Sequence, residues 1–179
     1  MKKRSLPLSK VFGHLEPGPL VMITTSEYGK PNVMTLAWTI VMDWKPLIGI
    51  VMGQEDYSFH ILKKTKQCVI NIPTVDIAKK VIGCGSTTGK RTDKFAKFGI
   101  ATSPAKKVDA PLIDECYVNI ECKVIDTTLV NRYNFFVLEG VKAWIDPSVK
   151  DPKTMHHRGF GNFAISGKIV KLPFRVPKH

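Results

Sequence analysis

The sequence predicts a mainly β protein with short helices, its strands forming an antiparallel barrel. Three observations predict it. Short apolar runs rich in β-branched residues recur along the chain, each bounded by Gly or Pro, as buried strands are. Only short helical segments separate them, which argues against the alternating units of a parallel sheet. Nor does a nucleotide fingerprint stand in its required context. Gly83-Cys84-Gly85-Ser86-Thr87-Thr88-Gly89-Lys90-Arg91 has the wrong glycine spacing for a phosphate loop and puts Arg91 where Ser or Thr is needed. Gly159-Phe160-Gly161-Asn162-Phe163-Ala164 carries the dinucleotide spacing, but Met155-His156-His157-Arg158 before it does not read as a strand.

A chain of 179 residues, 44% hydrophobic and 23% charged, is long enough to bury one core without disulfides. The expectation is a single domain over 1–179, with the barrel over about 8–146 and a C-terminal arm over 147–179 that carries Pro152, Pro173, Pro177 and Lys178. No apolar run approaches the roughly 20 residues of a membrane span. Met1-Lys2-Lys3-Arg4 leads into no signal-like segment, so a cytoplasmic protein is expected. Cysteines 68, 84, 116 and 122 include no Cys-x-x-Cys pair and read as free, mostly buried thiols. The net charge of +12 suits an acidic partner in general terms. Its lysines are scattered and not interleaved with aromatics, so a solvated basic surface accounts for them more simply than nucleic-acid binding.

Taken in order, Val11 to Leu15 reads as a short helix or turn and Pro17-Gly18-Pro19 as an entry loop. Three strands follow, Leu20 to Thr25, Pro31 to Ile40 and Leu47 to Met52. Ser26-Glu27-Tyr28-Gly29-Lys30-Pro31 has hairpin chemistry, with Gly29 available for positive φ. Asp56 or Ser58 caps a short helix that buries Phe59 and Leu62. A helix start directly after a buried strand is a natural anion site. Cys68 to Ile72 is a strand stopped by Pro73, and Thr74 caps a helix over 75–82 with an apolar stripe at 77, 78, 81 and 82. A basic loop over 83–92 leads to a short helix, Asp93 to Phe98, ended by Gly99. Cys116 to Ile125 and Phe135 to Ile145 are long strands.

The second of the early strands is unusual. Thr35, Ala37 and Thr39 stand where a core strand carries Val or Ile. Small residues let a flat ligand approach the backbone, and hydroxyls meet its polar edge; an ordinary strand with a wet polar face is the plainer alternative. Trp38 has two readings, barrel core or the border of a ligand pocket. No Ser-His-Asp arrangement, carboxylate pair or metal spacing accompanies this stretch. His156 and His157 are adjacent, so their side chains point apart. Redox chemistry in such a chain has to come from a cofactor.

Pro19-Leu20-Val21, Thr24-Thr25, Gly29-Lys30-Pro31-Asn32, Thr35 and Trp38 are arranged much as in the flavin reductase-like FMN-binding split-barrel family, which includes the flavoredoxins. Asp56-Tyr57-Ser58 with Ile61, Val69-Ile70-Asn71-Ile72-Pro73, Gly89-Lys90 with Asp93-Lys94-Phe95, and Glu121-Cys122-Lys123-Val124 continue in order. The chain thus resembles that family from about Leu8 to Ile145. The resemblance implies a closed antiparallel barrel with Greek-key-like connections and FMN at a homodimer interface. It implies that Asn32, Thr35, Leu36, Ala37 and Trp38 line the slot along the isoalloxazine, with Thr39 one step beyond. Met52, Gly53, Asp56, Tyr57 and Ser58 are implied across from them. Ser58 takes the phosphate with the helix start, and Lys90 and Lys94 complete the anion site, unless Lys94 is a solvated helix lysine. Asp56-Tyr57 stands where some members place an Arg just before the serine.

Three functional classes follow: an oxidoreductase taking hydride from NADH or NADPH onto FMN, an FMN electron-transfer protein with no nicotinamide site, and a basic β-barrel that binds nucleic acid.

Overall fold

A computed structural model describes residues 3–173; Pro177 and Lys178 of the expected arm lie outside the described residues. In chain order the elements are β1 (Arg4–Leu6), α1 (Phe12–Leu15), β2 (Val21–Glu27), β3 (Lys30–Leu36), β4 (Thr39–Asp43), β5 (Leu47–Val51), α2 (Tyr57–Thr65), β6 (Gln67–Ile72), α3 (Ala78–Gly85) and α4 (Lys94–Phe98). Then come β7 (Thr102–Ser103), β8 (Leu112–Ile113), β9 (Val118–Asp126), α5 (Val130–Tyr133), β10 (Phe135–Ile145), β11 (Met155–His157) and β12 (Phe163–Ile165). The main sheet is antiparallel in the order β3-β2-β6-β9-β10-β5-β4, with β1 also on β10. No helix among the described residues is long and apolar enough to cross a membrane.

The β2–β3 hairpin forms as its residues dictate. Tyr28 and Gly29 adopt φ of 52° and 74°, the two left-handed positions whose twist matches the flanking strands. β10 is the spine. It pairs with β9 along one edge, while its other edge holds β5 at Phe135 to Glu139 and β1 at Ala143 to Ile145. The sheet curls round a core that includes Ile23, Met34, Leu36, Ile50, Phe59, Ile70, Ile120 and Phe136. Phe136 is fully buried, with its ring edge-on to Phe59 at 5.3 Å. A second cluster, including Met22, Val33, Val81, Cys84 and Met155, packs α3 and the β11–β12 hairpin on the outer face of β2 and β3.

Several features differ from expectation. The strand expected over Pro31 to Ile40 breaks at Ala37-Trp38, because Trp38 turns its carbonyl to Val51 N and Ala37 gives its own to Thr39 N. The strand therefore becomes β3 and β4, and no ladder joins them. The barrel is split at this seam rather than closed. The helix expected over 75–82 starts with a 3₁₀ turn and runs on to Gly85. Gly83 and Gly85 lie in that helix, where a Cβ would stand 2.5 Å from the Phe98 ring and 3.2 Å from Thr35 Cβ, so they serve close packing. Lastly, Met155–His157 is a strand, contrary to the sequence reading. Among the described residues it pairs only with β12, across Gly159-Phe160-Gly161, an antiparallel hairpin with no crossover helix, so no dinucleotide unit results. The N-terminal β1, too short for a local signal, also joins the sheet.

All four cysteines are free and buried.

Candidate functional site

The β3–β4 seam opens onto a cavity of about 550 Å³, within the range of ligand sites, about 300–1,000 Å³. Three walls form it. The first is β3 and the break after it: Asn32, Met34, Thr35, Leu36, Ala37 and Trp38. The turn from β5 into α2 supplies the second, through Val51, Gly53, Glu55, Asp56, Tyr57 and Ser58. Cys84, Lys94 and the loop from Gly85 to Gly89 close the third side, and His157 of β11 reaches the cavity from the C-terminal hairpin.

One end of the cavity is built to hold an anion. α2 begins at Tyr57 without a side-chain cap, because Asp56 turns its carboxylate back to Gly53 N at 3.1 Å. The backbone N–H groups of Tyr57 and Ser58 meet no acceptor among the described residues, so the first turn of a nine-residue helix presents free donors. Ser58 is buried and its hydroxyl accepts from Asn32 Nδ2 at 2.7 Å. Across from them the N–H groups of Thr87, Thr88 and Gly89 are likewise without acceptors among the described residues. Gly89 fits there only as glycine, since a Cβ would lie 1.9 Å from Asn32 Oδ1.

Lys94 completes this end. It is 4% exposed, and its ammonium donates to Val33 O and Cys84 O, each at 2.8 Å. That excludes the solvated-lysine reading. An ammonium has three donors, so these two bonds leave one unassigned. Burial lowers its pKa below the usual lysine value, opposed by Cys84 and Asp56. Asp56 is pushed up, first by burial and then by Glu55, with Gly53 N–H and Lys94 opposing. Burial raises the Cys84 thiol to about 11, so it is protonated at neutral pH.

The other end is flatter and apolar. Trp38 is 69% exposed, which excludes the core reading and sets its ring at the mouth. Thr35 lines the wall with its hydroxyl engaged by Val81 O at 2.5 Å, so the cavity keeps the wall narrow here without a free hydroxyl donor.

Of the residues expected at a site, Asn32, Thr35, Leu36, Ala37, Trp38, Gly53, Asp56, Tyr57, Ser58 and Lys94 come together around this cavity. Met52, Thr39 and Lys90 do not border it. Met52, just past the end of β5, is fully buried in the barrel core. Thr39 starts β4 beyond the break, opposite Ile50, with its hydroxyl buried and unpartnered among the described residues. Lys90 is exposed beyond Gly89. Sequence reasoning missed Met34, Val51, Glu55, Cys84, Gly85 to Gly89 and His157. For Gly85 to Gly89 there was a signal: the glycine-rich, hydroxyl-rich run set aside for failing a phosphate-loop spacing. His157 had none, because only tertiary packing brings β11 beside β2, where Leu20 N donates to Met155 O at 2.7 Å.

A family model described as flavin reductase like domain matches residues 12–164. A protein of Archaeoglobus fulgidus is 31% identical over 140 residues, 78% of this chain and 79% of that one. Among solved structures, an FMN-binding domain of a flavin reductases-like enzyme from Shewanella baltica superposes with a TM-score of 0.89 at 22% identity, covering 96% of this chain and 98% of that one. The flavoredoxin of Desulfovibrio vulgaris superposes at 0.78 and 23% identity, covering 88% and 91%.

Proposed function

The chain belongs to the family of flavin reductase like domains, and from that premise we propose that it is an FMN-binding oxidoreductase passing electrons from NAD(P)H to an acceptor. The observation that carries the reading is one cavity with a donor-rich, lysine-backed end and an apolar end beside an exposed tryptophan. FMN has that division, a phosphate at one end and a flat ring at the other. Two glycines, Gly85 packed against Thr35 and Gly89 against Asn32, keep this wall free of side chains, which suits a planar group. When bound, FMN supplies the redox chemistry, accepting a hydride and releasing electrons singly or in pairs.

The residues contribute binding and orientation. Lys94, with the N–H groups of Tyr57, Ser58 and the 87–89 loop, holds the phosphate; Ser58 adds its hydroxyl. Asn32, Ala37 and the backbone at the break edge the ring, and Trp38 shapes the place where the donor stacks. Four buried free thiols fit a reducing compartment, which supports the cytoplasmic reading. Beyond β3, the edge strand β4 leaves Ile40 and Met42 exposed beside Trp44, an apolar face suited to a homodimer. Light scattering should return twice the monomer mass; a monomer at micromolar concentration would count against that assembly.

The test is direct. Purified protein should carry flavin absorption and release FMN on denaturation, and NADH or NADPH should bleach it. A protein with no bound or bindable flavin sinks the proposal. Bleaching by a chemical reductant but not by either nicotinamide leaves an FMN electron carrier instead. Because Trp38 is exposed, Trp38→Ala should keep its melting temperature and flavin while changing its rate of reduction by NAD(P)H in stopped flow. An unchanged rate would remove Trp38 from the donor's pocket.

A further inference from the structure

We propose that His157 is the residue that hydrogen-bonds an anionic group of the second substrate at the mouth of the cavity. The inference rests on the flavin reading and names a contact for the molecule that meets the flavin.

His157 lies on the cavity although it is far from the barrel in sequence. β11 starts beside Leu20, next to Val21, which pairs with Leu36 of β3. Its hairpin partner Phe163 packs in the cluster that holds Ala37. His157 therefore stands at the Ala37–Trp38 end, away from Asn32, Ser58 and Gly89. Its neighbour His156 is occupied: Nδ1 meets Gly18 O at 3.2 Å and Nε2 meets Thr154 Oγ1 at 3.0 Å. The ring nitrogens of His157 meet no protein partner among the described residues, while its ring rests against Phe163 at 5.4 Å. An exposed, oriented imidazole with both nitrogens open is equipped to bind a ligand.

Charge singles it out further. The titratable groups that share the cavity are Glu55, Asp56 and Tyr57 at the α2 turn and Cys84 and Lys94 on the opposite wall. Lys94 is committed to two carbonyls and lies at the phosphate end. On the hairpin, His156 and Arg158 flank His157, and β12 presents no titratable group. Arg158 adds positive charge beside it. His157 is thus an open side-chain donor, next to that charge, for an anion entering beside Trp38. The anion is a dinucleotide phosphate of the donor or an acidic group of the acceptor.

The experiment compares native protein with His157→Leu, both loaded with FMN. NADPH and NADH are varied at fixed ferricyanide, then FMN is varied as acceptor at fixed NADPH. In His157→Leu, KM for one substrate should be raised about three- to tenfold by loss of one hydrogen bond. Turnover should change little. The substrate whose KM responds identifies the source of the anion. Independently of turnover, the His157 ring resonances should shift when oxidised NADP is added to the native protein, if the donor supplies it. Both proteins should hold FMN with equal affinity, since His157 lies away from the phosphate end. Equal KM values in two flavin-loaded proteins overturn the inference while sparing the flavin reading. Absence of flavin from both overturns the reading and the inference together.

Discussion

Replacing Lys94 and Ser58 together by alanine is expected to weaken FMN binding roughly tenfold or more, while riboflavin is weakened less. One charged hydrogen bond is worth about 1.5–3 kcal/mol, and each 1.4 kcal/mol is about tenfold. The selectivity for the phosphate-bearing flavin is the diagnostic part, because riboflavin shares the ring and lacks the phosphate. Lys94 also satisfies Val33 O and Cys84 O, so the variant should lose stability as well, by about 1–3 kcal/mol for each buried group left unpaired. Riboflavin titration separates the two effects: a general collapse of the cavity would weaken both flavins alike. The buried ammonium adds a pH signature. Its pKa is lowered, first by desolvation, so it loses its proton before an ordinary lysine does. FMN affinity should therefore fall as pH climbs toward that lowered value, and riboflavin affinity should not follow. An FMN–riboflavin difference independent of pH and of both substitutions would assign the phosphate elsewhere.

Gly89→Ala should be nearly as damaging, for a steric reason. The new methyl would stand 1.9 Å from Asn32 Oδ1 and 2.6 Å from its Cγ. Asn32 cannot turn away freely, since its amide is tied to Ser58 at 2.7 Å. Either that bond breaks or the 86–89 loop withdraws its N–H groups from the cavity. Overpacking of this kind costs about 1–3 kcal/mol, which corresponds to roughly a tenfold to hundredfold loss of flavin affinity if the loop moves. A double-mutant cycle with Asn32→Ala measures it. The methyl and the amide compete for one space, so the two losses should not add. Additive effects on flavin affinity would mean that Gly89 and Asn32 act separately.

Much of the fold was legible because its signals are local. Tyr28-Gly29 needs only two left-handed residues to announce a hairpin, and the alternation from Phe135 to Ile145 marks β10 to its ends. The helix from Asp93 to Gly99 was readable for the same reason: Asp93 accepts from Phe95 N and Ala96 N, and Gly99 closes it at φ 59°. The break at Ala37-Trp38 was not legible, because small and apolar residues continue across it and the agent that breaks it, Val51 N, comes from another strand. Asp56 looked like a helix cap; that it serves Gly53 instead depends on the tightness of the turn before it. Lys94 entered the expected anion site only through the resemblance, with a solvated helix lysine as its alternative, since nothing near it in sequence shows the two carbonyls that bury it. The β3 wall and the turn from Gly53 to Ser58 were therefore visible, while the Gly85 to Gly89 loop and His157 join the site only once the chain has folded back.

The seam between β3 and β4 has a mechanical meaning. Elsewhere the barrel wall is zipped by ladders of backbone bonds, and spacing between strands is pinned at about 4.8 Å. Across the seam no ladder forms among the described residues, so the gap is held by side-chain packing, whose individual attractions are only about 0.1–0.2 kcal/mol per atom pair. The barrel thus has one compliant joint in an otherwise stiff hoop. Thickness between its lips is the cheapest dimension for the protein to change, and the joint can spread around a stack of flat rings without stretching a single rung of the sheet.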